Sequence, residues 1–265
     1  MHADAAKLPI LAAIFGEAGY SIDFAIADRE LEYFRGVISR QWIARIESVY
    51  PEHAAHFREV GLERYHELSH LISHSELWPK EQRVLARDAV ANLPQFDFIR
   101  QLRTIFGVDC RISDVHFFSG PVPGYPEVYW RLVRPGVATD VGGMHTDRWF
   151  HDILGDGTPL FGADETTIKM WLPIFTEVGR NGLYVVPGSH HKVWRVKYTQ
   201  GADGFRRPSL DEPLADNARH LVPVKPGQAI LFNENLLHGG AVNTGSTTRV
   251  SIEITFVLKR AALRQ

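Results

Sequence analysis

The feature that most constrains the fold of this chain is a run of short β-type segments that begins after Gly107. Each segment is rich in aromatic and β-branched residues and is bounded by Gly or Pro, which is typical of strands. We predict strands at residues 112–118, 127–134, 166–175, 182–187, 228–233 and 248–257. Since no long helical pattern lies between them, this order favours an antiparallel sandwich or barrel over a parallel α/β sheet.

The N-terminal part of the chain has a helical pattern instead. Apolar residues there recur three and four positions apart, and we predict about four helices that cover one face of the sheet. The chain is therefore expected to be a single domain, 1–265, with a mostly helical region at 1–110 packed on a β core at 111–260. A polar segment at 198–221, rich in Gly, Pro, Asp and Arg, is predicted to be a lid-like insertion or disordered.

Composition limits the kinds of partner. The net charge is −2, with 29 basic and 31 acidic residues, so there is no electrostatic reason to expect binding to nucleic acid or a membrane surface. Cys110 is the single cysteine, and no stretch approaches the roughly 20 apolar residues of a spanning helix. The N-terminus also lacks a signal-type pattern. We expect a cytoplasmic protein that acts on a small molecule, and the sequence indicates no oligomeric state.

Three residues of the β region have the types and spacing of a metal site. His145 and Asp147 are two residues apart, so their side chains would point the same way on a strand, and His238 could join them from far downstream. Two His and one carboxylate, with the remaining positions open, form the ligand set of non-heme Fe(II) oxygenases. We therefore predict that His145, Asp147 and His238 bind iron, leaving positions for a chelating 2-oxo acid and for O2.

Arg249 and Ser251 repeat the two-residue spacing on the last predicted strand. A guanidinium beside a hydroxyl suits a carboxylate, so this pair is predicted to anchor the far end of the 2-oxo acid. The candidate substrate contacts are Arg148, Trp149 and His151, which follow the His-x-Asp motif directly. Their polar and aromatic character favours a polar metabolite, such as a sugar, aminoglycoside or nucleotide derivative, over a fatty acyl chain.

The β region resembles the Fe(II)/2-oxoglutarate-dependent dioxygenases and, within them, the phytanoyl-CoA dioxygenase-like family. The resemblance covers roughly residues 127–257, and the strand that leads into Pro-Gly-Ser-His is its most specific part. It is carried by His145-Thr146-Asp147, Met170-Trp171-Leu172-Pro173, Asn181-Gly182-Leu183-Tyr184-Val185-Val186-Pro187-Gly188-Ser189-His190, Pro226-Gly227, His238-Gly239 and Arg249-Val250-Ser251.

The resemblance implies a double-stranded β-helix core of the jelly-roll, cupin-like type. It also implies Fe(II), O2 and 2-oxoglutarate as cofactors, with release of succinate and CO2 as the substrate is hydroxylated or otherwise oxidised. In relatives the Trp that matches Trp171 often lines the co-substrate pocket, and Lys169 shares its face of the strand. Tyr129 and Arg131 are candidates for the early-strand residue that assists. Gly240 stands where relatives often have Ser, so that contact cannot be carried over.

Two other functions remain open at the level of sequence. His66-Glu67-Leu68-Ser69-His70 matches the H-E-x-x-H pattern, which on a helix binds zinc with Glu as the general base of a hydrolase. However, Ser73 stands where the extended form of that pattern has Gly. The third alternative is a cupin-like binding protein that holds a metal without turnover.

Overall fold

We describe the protein from a computed structural model over residues 2–117, 119–156, 158–201 and 205–264, with only the backbone described for 2–6, 216 and 264. The helices are α1 (His2–Phe15), α2 (Asp28–Val49), α3 (Ala54–Val60), α4 (Tyr65–Leu68), α5 (His74–Leu77), α6 (Arg87–Val90), α7 (Asp97–Phe106) and α8 (Asp147–Leu154). The strands are β1 (Tyr20–Ala25), β2 (Arg111–Ile112), β3 (Val115–His116), β4 (Gly120–Pro121), β5 (Val128–Val133), β6 (Glu165–Phe175), β7 (Leu183–Val185), β8 (Val196–Gln200), β9 (Arg206–Leu210), β10 (His220–Leu221), β11 (Gln228–Asn233), β12 (His238–Gly240) and β13 (Arg249–Lys259). None of the helices in this part of the chain is long and apolar enough to cross a membrane.

The larger sheet is antiparallel and is built around β13. Strands pair in the order β1-β11-β6-β13, and the other edge of β13 pairs with β5 and, near its end, with β2. The long strands β6 and β13 pair over almost their whole length. This sheet contains most of the predicted strands, although the segment predicted at 112–118 is divided into β2 and β3, and Phe118 lies outside the described residues.

The smaller sheet has the order β10-β7-β12 and is also antiparallel. An isolated bridge between His145 and His238 adds a further pairing at the free edge of β12. Trp171 and Phe232 of the larger sheet share an apolar core with Leu183 and Val185 of the smaller one, so the two sheets face each other. Two facing antiparallel sheets of this kind form a double-stranded β-helix, and the predicted fold class is confirmed.

Side chains of β13 alternate between two buried regions, one on each face of the larger sheet, because successive side chains of a strand point to opposite faces. Val250, Ile252 and Ile254 belong to a large apolar core that also contains residues of α1, α2 and α7. Arg249 and Ser251 are equally buried but lie on the opposite face, between the sheets. The helices therefore cover one face of the larger sheet and leave the other face free for polar side chains.

The N-terminal region differs from its prediction in one respect: it contributes a strand to the larger sheet. β1 (Tyr20–Ala25) pairs with β11 at the edge of the sheet, inside the region predicted to be helical. Its register shifts between Ser21 and Phe24, so the alternation of buried and exposed residues is irregular. A six-residue edge strand without regular alternation leaves little signal in the sequence. In addition, four of the seven helices before Gly107 span only a turn or two.

The first part of the insertion predicted to be a lid or disordered is a hairpin. β8 and β9 pair from Val196 with Leu210 to Gln200 with Arg206. Leu210 N donates to Met144 O (3.0 Å), which attaches the hairpin beside the His-x-Asp motif. Residues 202–204 of this insertion lie outside the described residues. β8 is mostly exposed and β9 has one buried residue, so the hairpin has a polar composition. Strands of this composition lack the apolar alternation by which strands are predicted from sequence.

Candidate active site

The site is organised by a direct pairing of His145 with His238. Each residue donates its backbone N–H to the other's carbonyl oxygen, at 2.8 and 2.9 Å, although they are far apart in sequence. The two imidazole rings consequently lie side by side, with centroids 4.4 Å apart. The fold therefore brings both predicted histidine ligands to one position at the edge of the smaller sheet.

Each imidazole is also fixed in rotation by a carbonyl two residues earlier. Nδ1 of His145 lies 2.8 Å from Gly143 O, and Nδ1 of His238 lies 2.9 Å from Leu236 O. Since a carbonyl only accepts, Nδ1 carries the proton and Nε2 keeps its lone pair for a metal. Burial and the neighbouring His238 lower the pKa of His145 to about 3, so this ring is neutral under ordinary conditions.

Asp147 joins the two histidines from a helix and not from a strand. His145 lies in the isolated bridge, Thr146 is extended, and Asp147 is the first residue of α8, so the prediction that His145 and Asp147 share a strand is wrong. The turn from strand to helix still brings the groups together. Ligand atoms of His145, Asp147 and His238 all lie within 4.8 Å of one another, and Oδ2 of Asp147 is buried with no hydrogen-bond partner among the described residues. Two imidazoles and an unpartnered carboxylate oxygen fit a divalent iron ion.

Lys169 is a site residue that was not among the predicted ligands or contacts. Its Nζ donates to Thr255 Oγ1 (2.9 Å) and lies 3.6 Å from Oδ1 of Asp147. Burial alone would raise the pKa of Asp147, but Lys169, His238 and His145 outweigh it and hold this pKa at about 2. Lys169 thus pairs with one oxygen of the carboxylate and leaves the other facing the histidines.

A chamber of about 400 Å³ lies beside the histidines, between the two sheets. Arg249 and Trp171 line it, together with His145, His238 and Arg131. The guanidinium of Arg249 lies 5.7 Å from the centre of the Trp171 ring and donates through Nη1 to Gly182 O (2.6 Å). Burial, followed by the charge of Arg131, lowers the pKa of Arg249 to about 10.

Three buried donors here lack hydrogen-bond partners among the described residues. Nε of Arg249 and Nε1 of Trp171 belong to residues that line the chamber, and Oγ of Ser251 lies on the same face of β13 as Arg249. All three side chains are at most 1% exposed. Buried polar groups are normally paired, and a buried cation without an anion is costly. The fold therefore leaves a set of donors suited to the carboxylate of a small acid.

A second and larger cavity, of about 730 Å³, opens on the other side of His145 and Asp147. Tyr129 lines it, with its hydroxyl unpartnered, and so does Arg131, which also reaches the first chamber. Arg131 pairs with Glu253, its Nε 2.5 Å from Oε1 of that residue.

The three predicted substrate contacts are placed differently from one another. His151 lines the larger cavity, and its Nδ1 lies 3.4 Å from Oε2 of Glu234. Arg148 is half exposed, pairs with Asp152 at 2.8 Å and lines a neighbouring surface cleft instead. Trp149 lines neither the cavity nor the chamber. Both residues lie on α8, whose turn directs them away from the cavity, whereas the prediction used proximity in sequence alone.

The H-E-x-x-H segment has none of the geometry of a zinc site. α4 ends at Leu68, so His66 and His70 do not lie on one continuous α-helix. Glu67 is held by Arg64 through two hydrogen bonds of 2.8 and 2.7 Å, and Nδ1 of His66 lies 3.0 Å from Thr248 Oγ1. Among the described residues, the metal-type cluster is His145, Asp147 and His238. The zinc hydrolase alternative therefore has no support in the structure.

Comparison with known families agrees with this site. The model of the family described as phytanoyl-CoA dioxygenase (PhyH) matches residues 124–251, which include all three candidate ligands and Arg249. The β core of this chain is phytanoyl-CoA dioxygenase-like. With this match and the His-Asp-His cluster, the chain is an enzyme of the 2-oxoglutarate-dependent dioxygenase class, which uses iron and 2-oxoglutarate. No functionally curated protein matches its sequence significantly.

Several solved structures share the fold of this chain at low sequence identity. EctD from S. alaskensis, solved with 2-oxoglutarate and 5-hydroxyectoine, has a TM-score of 0.53 at 16% identity, covering 92% of this chain and 74% of its own. SnoK, a non-heme alpha ketoglutarate dependent carbocyclase from nogalamycin biosynthesis, has 0.51 at 14%, with 97% and 88% covered. The non-heme monooxygenase ThoJ has 0.50 at 14%, with 94% and 79% covered. These likenesses show a common fold.

Lys169→Met is expected to strengthen binding of a divalent ion. The change removes a positive charge 3.6 Å from the Asp147 carboxylate, whose pKa lies far enough below 7 for it to remain ionised. With one repulsive charge removed, Co(II) should bind about three- to tenfold more tightly in anaerobic titration calorimetry.

The exposed Lys225 provides the control, because Lys225→Met removes the same charge far from the ligands and should leave Co(II) affinity unchanged. Weaker or unaltered Co(II) binding by Lys169→Met would show that Lys169 only supports the local packing.

Proposed function

We propose that His145, Asp147 and His238 hold Fe(II), and that 2-oxoglutarate lies in the adjoining chamber with its distal carboxylate on Arg249. One observation carries the proposal: three converging ligand atoms adjoin a chamber that is also lined by a buried guanidinium, whose Nε has no hydrogen-bond partner among the described residues. One carboxylate of a dicarboxylate in this chamber would supply the missing acceptor, and its 2-oxo acid end would face the histidines. Ser251 Oγ, buried and unpartnered on the same face of β13, is the second donor to it.

The remaining walls of the chamber have separate roles. Trp171 presents its ring to the guanidinium and an unpartnered Nε1, and both fit a co-substrate contact. Arg131 lines the chamber and the cavity, so we place it near the metal-facing end of 2-oxoglutarate, held there by Glu253. Tyr129 lines only the larger cavity and is proposed to contact substrate instead.

The larger cavity is the proposed substrate site. Bound iron supplies the activation of O2, coupled to the conversion of 2-oxoglutarate to succinate and CO2. The protein's part is to exclude water and to orient the substrate beside His145 and Asp147, which line the cavity wall. Because charged groups such as Arg131 and Lys169 alternate with aromatic side chains there, we propose a small polar metabolite as substrate.

The helices and the β core are proposed to act as one domain. Side chains of α2, such as Phe34 and Trp42, share a single apolar core with Ile252 and Leu172 of the larger sheet. The smaller sheet, which carries His238, packs on the other face of the larger sheet. The helical region at 1–110 therefore supports the site without lining most of it. Lys80 is its contribution to the cavity wall.

The class assignment predicts O2-dependent formation of succinate from 2-oxoglutarate by the iron-loaded protein. His145→Ala should abolish this activity and lower the affinity for iron, since it removes one of three ligands. His66→Ala changes a histidine outside the site and should preserve both. The measurements are succinate by mass spectrometry and iron content after anaerobic loading.

Equal loss of succinate in both variants, or loss in His66→Ala alone, would refute the ligand assignment. Iron binding by the wild type without any succinate would instead favour the cupin-like binding protein.

Arg249→Ala is expected to raise the Michaelis constant for 2-oxoglutarate. Hydrogen bonds to a charged group contribute about 1.5–3 kcal/mol, so loss of this anchor corresponds to about a ten- to hundredfold increase. Initial rates of succinate formation at varied 2-oxoglutarate concentration give the constant.

Arg195→Ala removes an exposed arginine outside the chamber and is the matched control, with an unchanged constant expected. If Arg249→Ala kept the wild-type constant while binding iron normally, 2-oxoglutarate would have to be anchored elsewhere.

A further inference from the structure

Glu127 is the one carboxylate of the larger cavity that has neither a metal role nor a cation in ion-pair contact among the described residues. The other two are paired: Glu253 with Arg131 at 2.5 Å, and Asp147 with Lys169 at 3.6 Å. Glu127 directly precedes β5, two residues before Tyr129, and both side chains line the cavity. A carboxylate in such a position, with no internal cation, is available to a ligand.

Only one of its two oxygens is used by the protein. Oε1 accepts from the backbone N–H of Phe117 at 2.9 Å, and no described residue donates to Oε2. The backbone N–H of Glu127 in turn donates to Ser113 O at 3.0 Å, so the side chain is fixed against the segment that forms the cavity wall. The geometry thus holds Glu127 rigidly with one acceptor oxygen left over.

The surroundings of Glu127 are charged at longer range and aromatic at short range. Lys169, His116 and Glu253 act on it electrostatically, but burial is the largest effect and raises its pKa. Nε2 of His116 is already bonded to Tyr125 O (2.8 Å), so this ring does not serve as its partner. A cationic donor placed on Oε2 would offset the cost of burying the carboxylate.

The aromatic residues beside Glu127 fit the same kind of ligand. Phe117, whose backbone bonds to Glu127, lines the cavity with its ring and packs edge-to-face on Phe150 with centroids 4.8 Å apart. Phe150 in turn lies 5.1 Å from the ring of His145, so the aromatic wall runs from Glu127 toward the metal ligands. Lys80 Nζ already lies 5.1 Å from the centre of the Phe117 ring, so a substrate ammonium would share this aromatic wall with it. Ammonium groups bind favourably to aromatic faces as well as to carboxylates.

We propose that Glu127 binds a protonated amino group of the substrate, which makes the substrate an amine-bearing polar metabolite. The inference rests on the proposed function, because it assumes that the larger cavity holds substrate. Oε2 of Glu127 accepts from the ammonium, and Phe117 packs against it. The rest of the substrate extends along the aromatic wall toward His145 and Asp147. Glu127 is therefore a specificity-determining residue.

The test uses three probes of nearly equal size that differ in charge: benzylamine, benzyl alcohol and benzoate. Each is titrated calorimetrically into the full-length protein loaded with Fe(II) and 2-oxoglutarate in the absence of O2. Benzylamine should bind at least about tenfold more tightly than benzyl alcohol, and benzoate should bind weakest. This comparison needs no variant, so it stands even if substitutions at Glu127 disturb folding.

Glu127→Gln isolates the charge, because its amide oxygen can still accept from the Phe117 N–H. Benzylamine affinity should fall about tenfold or more in this variant, with benzyl alcohol changed by less than about threefold. Glu81→Gln, the same change at an exposed site on the segment that contributes Lys80, should alter none of the three affinities.

Two results would overturn the inference: equal or undetectable binding of benzylamine relative to benzyl alcohol in the wild type, or unchanged benzylamine affinity in Glu127→Gln. Either would leave Glu127 as a purely structural carboxylate that holds Phe117. Binding of 2-oxoglutarate, titrated first in the same samples, separates this failure from that of the proposed function. Its absence refutes the proposed function, whereas its presence without an amine preference refutes only the role of Glu127.

Discussion

The site depends on the two backbone hydrogen bonds that join His145 to His238. These hydrogen bonds join distant parts of the chain, and neighbouring residues fix the segment that carries His238 on both sides. Ser189, in the Pro-Gly-Ser-His turn, accepts the N–H of Leu237 at 2.8 Å and so fixes β12 directly before His238. After it, a Cβ on Gly239 would lie 2.9 Å from Sδ of Met144, so glycine permits the close approach of the two segments.

A second constraint is the distribution of charge between the sheets. Most buried ionic groups there are paired, as Arg131 is with Glu253 and Lys169 with Asp147. Arg249 has no carboxylate in contact among the described residues, and its pKa is lowered by burial. A buried cation that the protein itself leaves unpaired is stabilised when an anionic ligand arrives. In the same way, we expect a cationic ligand to stabilise the carboxylate of Glu127, because no described residue donates a hydrogen bond to its Oε2.

Much of this arrangement could be predicted because it depends on residue type and on strand parity. The His-x-Asp and Arg-x-Ser motifs limit the chemistry strongly. Parity on β13 places Arg249 and Ser251 on one face, whereas Asp147 reaches the histidines from the start of α8. Other features depend on distant partners. The charge of Lys169 acts through Asp147, which lies on a helix, and only the parity of Lys169 with Trp171 was visible in the sequence. β1 is defined by its pairing with a distant strand, and its own pattern is irregular.

The central claim is that Nε2 of both histidines and one oxygen of Asp147 meet at a single ion. Anomalous diffraction at the iron absorption edge, from crystals of the protein loaded with Fe(II) without O2, tests it most directly. We expect one anomalous peak per chain, in contact with these three atoms. Nδ1 of both rings should remain hydrogen-bonded to the carbonyl oxygens of Gly143 and Leu236. A peak bound through Nδ1, or located away from His238, would contradict it.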